Sequence, residues 1–137
     1  MHAHHARLRY AADAVTTASP ARLLCMLYDR LVRDLQQGER AQRTGDRPGA
    51  HAALVHAQDI LLELRTSLRT DLWDGAAGLA SLYAYLHSEL VAANVALDAD
   101  RTAACLALVE PLRAAWHEAA ASTAAVSAAP AAVAVAV

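Results

Sequence analysis

A chain of 137 residues with a formal charge of −2 is long enough for one domain with its own core, and needs no disulfide or metal staple. The near-neutral charge offers nothing to a phosphate backbone, which argues against nucleic-acid binding. Hydrophobic residues make up 56% of the sequence, much of it alanine and none of it phenylalanine, and alanine is the strongest helix former.

Residues 1–18 form a polar, flexible N-terminal segment carrying His2, His4, His5 and one aromatic, Tyr10. It has no apolar run of the kind a signal peptide needs, and its histidines read as solvated side chains rather than a metal site. The first helical pattern opens at Ser19-Pro20, an N-cap followed by a proline at the first helical position, and runs to about Gln42. Its main stripe is Leu24, Leu27, Leu31 and Leu35, flanked by Leu23 and Tyr28. Within it, "LLCMLY" (23–28) sets six apolar side chains in succession. One helix face buries only about half of such a run, so the rest calls for another surface. Cys25 and Val32 fall almost opposite Leu27.

The turn formers of "TGDRPG" (44–49) separate this pattern from a second, over about 49–70. There Ala50, Leu54, Ala57, Leu61, Leu64 and Leu68 recur at helical steps, with Val55 and Leu62 well off the stripe. "DLWDG" (71–75) interrupts the pattern. The third helix is predicted over 76–95, with Leu79, Leu82, Tyr83, Leu86, Leu90 and Ala93 on one face. Opposite them run Ala80, Ala84, Ser88, Val91 and Val95, a row without a charge. "ALDADR" (96–101) is the next break, with Asp98 or Asp100 as candidate cap.

The fourth helix, about 100–122, presents Cys105, Leu108, Val109, Leu112, Trp116 and Ala119, and Pro111 inside it is expected to kink it or cost it a hydrogen bond. Residues 123–137 are a low-complexity Ala/Val tail that extends the helix or, beyond Pro130, is disordered. It is too weakly apolar for a membrane span. The expected fold is therefore all-α: an antiparallel four-helix bundle over 19–122.

Chemistry is hard to find in this chain. The Glu-x-x-His pairs of di-metal bundles do not occur, nor does a glycine-rich phosphate loop or a G-x-S-x-G turn. His51 and His56 lie on different helix faces. Cys25 and Cys105 have no partner at a metal or disulfide spacing and read as buried, reduced thiols. Neither an enzyme nor a metal or cofactor site has residues to stand on. The uncharged row of the third helix is the informative feature. Either that helix is buried between two neighbours, or the row is a groove for a partner's helix.

"TASPARLLCMLYDRL" (17–31), preceded by Tyr10, resembles the opening of the flagellar secretion chaperones of the FliS family: a Ser-Pro step, then Leu-Leu and Met-Leu-Tyr-Asp. "ILLELRTSL" (60–68), "LASLYAYLHSELVAAN" (79–94) and "LVEPLRAAWHEA" (108–119) resemble later segments of the family in the same order. The resemblance spans about residues 10–119. It departs at the His-rich start, Trp73, Pro111 and the tail.

The resemblance implies a cytosolic, non-enzymatic chaperone that uses no ATP. Such a chaperone binds the disordered C-terminal segment of flagellin in hydrophobic grooves, prevents premature polymerisation, and delivers the subunit to the flagellar type III export machinery. Candidate contact residues are Tyr10, Leu23, Met26, Val55, Leu62, Ala80, Ala84, Val91 and Val95. The resemblance also implies that Tyr10 and its segment lie over the empty groove as a lid; the plainer reading packs Tyr10 on the bundle end. The alternative for the whole chain is an oligomerisation or adaptor bundle, in which the uncharged row mediates self-association and flagellin is not a client.

Overall fold

The computed structural model describes residues 19–69 and 73–136, with side chains as far as Thr123. They form four helices: α1 Pro20–Arg43, α2 Arg47–Ser67, α3 Ala76–Ala96 and α4 Ala99–Ala136. Each helix packs chiefly on its neighbours in the chain, and α4 closes the ring on α1. The neighbours are antiparallel. The end of α1 meets the start of α4 through Arg43 and Asp100, and the start of α2 meets the end of α3 through His51 and Asn94.

The helix ends follow from local chemistry. The Ser19 side chain accepts from the Arg22 N–H at 3.2 Å, and Pro20 occupies the first turn, where a missing N–H costs nothing. Arg40 and Arg43 sit in the last turn of α1, at the negative end of its dipole. Gly45 takes a left-handed φ of 76°, which only glycine adopts freely. Asp46 then accepts from the Gly49 N–H at 3.0 Å. With Asp46 as cap and Pro48 in the first turn, α2 starts at Arg47, slightly ahead of the expected position. Asp98 caps α4 through the Arg101 N–H at 3.1 Å.

The core joins Tyr28, Leu31 and Leu35 of α1, Leu54, Leu61 and Leu64 of α2, Tyr83, Leu86 and Leu90 of α3, and Cys105 and Val109 of α4. Leu82, Leu112 and Trp116 pack against it half-buried. Two expectations are corrected. On α1, Leu24 and Leu27 are only half-buried, whereas Cys25 and Val32 are buried. The reason is that α1 is clasped by both α2 and α4, so its buried arc is wider than one stripe and is rotated toward α4. On α4, Leu108 and Ala119 are exposed, because that helix packs mainly on α1.

α1 and α2 approach closely at Gly38. A Cβ there would stand 2.6 Å from Leu54 Cδ2, and Leu54 is fully buried. The backbone of α4 is helical through Pro111 and Pro130 to Ala136. Alanine's helix propensity favours such a continuation. No helix among the described residues is long and apolar enough to cross a membrane.

Candidate client-binding surface

A polar and aromatic brace holds the bundle's surfaces in place. The Tyr28 and Tyr83 hydroxyls share a hydrogen bond of 2.5 Å from α1 across to α3. Burial pushes both phenols above their ordinary range. Ring contacts extend the brace outward, from Tyr28 to Trp116 at 6.4 Å and from Trp116 to Trp73 at 6.4 Å. Trp73, where the family-like pattern departs, is 51% exposed and stands edge-on to Trp116. Between α1 and α4, Asp29 accepts from Arg113 at 2.6 Å and contacts His117 at 2.7 Å. Partial burial opposes the Asp29 charge, but hydrogen bonds and charge from His117 and Arg113 outweigh it and hold its carboxyl below the usual range.

The uncharged row of α3 lies at the surface. Val95 is 75% exposed, Val91 40% exposed, Ser88 exposed, and Ala80 and Ala84 half-buried. The reading in which α3 is buried on both sides is therefore set aside. Helical phase at about 100° per residue, anchored by the hydrogen bond between His51 and Asn94 at 2.9 Å, turns Val55 and Leu62 to the flank of α2 beside α3. Leu62 is 45% exposed and Val55 half-buried. By the same phase, residues chosen separately on two helices turn toward one side of the bundle, where exposed Arg65 also falls on the α2 flank.

The other candidates lie elsewhere. Leu23 helps to line an apolar concavity of about 360 Å³ with Leu24, Leu27, Leu64, Leu68 and Leu79. Met26, 41% exposed, lines a larger groove of about 900 Å³ between α1 and α4, beside Cys25, His117 and Ala120. Tyr10 lies outside the described residues. Sequence reasoning missed the concavity around Leu68 because its walls come from separate helices. No single helical pattern signals it.

The buried Cys105 thiol is pushed up to about 11, chiefly by desolvation, which leaves it a poor nucleophile. Among the described residues, no group of three His, Cys, Asp or Glu side chains is placed to hold a metal ion. Fold and surface together define a class: a small helical bundle that presents apolar surface between its helices.

The comparisons with known proteins specify the class further. A family model described as "Flagellar protein FliS" matches residues 2–123. The flagellar secretion chaperone FliS of Bacillus subtilis is 29% identical over 110 residues, covering 80% of this chain and 82% of that protein. That of Vibrio cholerae is 28% identical over 105 residues, covering 76% and 77%. The chain belongs to the FliS family, and both relatives are flagellar secretion chaperones.

Proposed function

We propose that this protein is a cytosolic flagellar export chaperone that binds the disordered C-terminal segment of flagellin. It keeps the segment from polymerising early and hands the subunit to the flagellar type III secretion apparatus, without catalysis. Family membership over residues 2–123 carries the reading. The strip between α2 and α3 supports its location, because large apolar side chains such as Val91 and Val95 gain nothing from water.

The physics suits a reversible carrier. A disordered client that folds on binding buries about 1,000–3,000 Å² and forfeits a few kcal/mol to ordering. Apolar contacts without buried ion pairs leave it adaptable, and free to be released at the export gate. Leu23 and Met26 extend the client path around α1.

The test is Val91→Glu combined with Val95→Glu. Both side chains are exposed, so stability should change by no more than about 0.5 kcal/mol. Against an apolar client, the same carboxylates are desolvated without partners, which costs about 2 kcal/mol of affinity or more. The variant should melt like the wild type by circular dichroism and lose a flagellin C-terminal fragment in titration calorimetry. A variant that binds normally removes this strip from the client site and leaves the α1–α4 groove around Met26. A wild-type protein that ignores the fragment, and self-associates through the strip in sedimentation, overturns the chaperone reading.

A further inference from the structure

The four histidines among the described residues are of two kinds. His56 of α2 bonds Asp34 of α1, and His117 of α4 contacts Asp29 of α1 at 2.7 Å, so each ties two helices through a carboxylate. His51 and His87 have no such partner: neither joins an ion pair among the described residues. Both stand beside the strip between α2 and α3. The Asn94 amide nitrogen donates to His51 Nδ1, a contact that needs this nitrogen unprotonated. His87, half-buried, lies seven residues before Asn94 and so on the same flank of α3. One turn after each ring comes an apolar side chain of the strip, Val55 after His51 and Val91 after His87.

The charges around this flank are few and balanced. On α2 they are Arg47, Arg65 and Asp59, all exposed, with Asp59 turned to the outward face and neutral Gln58 opposite His87 by helical phase. Beyond the end of α3 stands Asp98, whose carboxylate accepts from the Arg101 N–H at 3.1 Å. The other helices meet the opposite flanks. α1 meets α2 on the side of His56, and α4 meets α3 through Arg101 and Glu89 at 3.1 Å. Two imidazolium charges added here would therefore tip a balanced flank to positive.

We infer that His51 and His87 make client binding pH-dependent: the strip holds its client at neutral pH and releases it as their rings take up protons. The inference rests on the client reading above. Histidine is the side chain that gains its charge between pH 8 and pH 5. A client laid over Val55, Val91 and Val95 takes the neighbouring rings out of water. A neutral imidazole tolerates this, whereas an imidazolium without a carboxylate beside it does not. On the seams with α1 the same proton acts in the opposite direction. The Asp29 carboxyl is held below the usual range, so Asp29 stays charged while His117 gains a charge, and the attraction between α1 and α4 grows. His56 stands in the same relation to Asp34, which also bonds Arg30 at 3.1 Å. The bundle thus persists under conditions that charge its client site.

The test is titration calorimetry of the full chain with the flagellin C-terminal fragment at about pH 8 and about pH 5.5, with circular dichroism at both. The wild type should bind about tenfold more weakly at the lower pH and keep its helix content. His51→Gln with His87→Gln retains polar amides that cannot charge, and the ratio of its two affinities should approach one. His56→Gln, on the other flank of α2, should retain the wild-type ratio. A wild type that binds equally at both pH values overturns the inference and leaves the client reading standing, whereas no binding at about pH 8 overturns both. The inference also fails if the double variant stays as pH-sensitive as the wild type, if His56→Gln abolishes the dependence, or if helix content falls in step with binding.

Discussion

Tyr28 and Tyr83 each depend on the other for a hydrogen-bond partner in the core. Tyr83→Phe leaves the Tyr28 hydroxyl buried and unsatisfied and should cost about 1–3 kcal/mol in urea unfolding. The double change to Phe removes both polar groups and should recover most of that loss. The same pair sets an alkaline limit. Both folded phenols lie above the ordinary value of 10.0, so the native state holds these protons more tightly than the unfolded chain. Their contribution is complete below pH 10 and falls as pH rises above it. Unfolding midpoints measured across the alkaline range should drop less steeply in the double Phe variant. The apolar spacing marks Tyr28 and Tyr83 as core residues, but nothing in it pairs two hydroxyls 55 positions apart in the chain.

At the scale of the element, periodicity and capping residues were enough to find all four helices. Ser19-Pro20 and Asp98 act as caps where the sequence places them. The rotation of each helix was less legible. A wheel drawn for α1 alone cannot know that α1 is clasped from two sides, so it sets Val32 and Cys25 opposite the main stripe although both are buried; only the isolated thiol chemistry of Cys25 pointed to its burial. Gly38 carries the same lesson. In isolation, Gly38→Ala should strengthen α1 by about 1 kcal/mol. In the bundle, the new methyl meets Leu54 at 2.6 Å, and Leu54 is enclosed. Overpacking of this kind costs about 1–3 kcal/mol, so the substitution should lower the thermal midpoint. A raised midpoint would mean that α1 and α2 pack less closely than described.

For the whole molecule, the core is one cluster to which every helix contributes, so damage at its centre should be felt everywhere. Leu86 is 1% exposed within it, and Leu86→Ala should cost about 2–5 kcal/mol in a single unfolding transition. A wild-type melting curve would place Leu86 outside the core. Fold class, helix count and the bundle's antiparallel order were legible in the sequence, because they rest on helical period, short links and local caps, which act over a few residues; the family was legible only through the resemblance of four segments such as "TASPARLLCMLYDRL". Only the tertiary structure decided which flanks meet. It turned Val55 and Leu62 of α2 toward the side of the α3 row, drew Leu23 and Met26 into different concavities, and gave His56 and His117 the carboxylate partners that His51 and His87 lack. Those outcomes depend on how whole helices rotate and pack to bury a shared core, and no helix carries that information by itself.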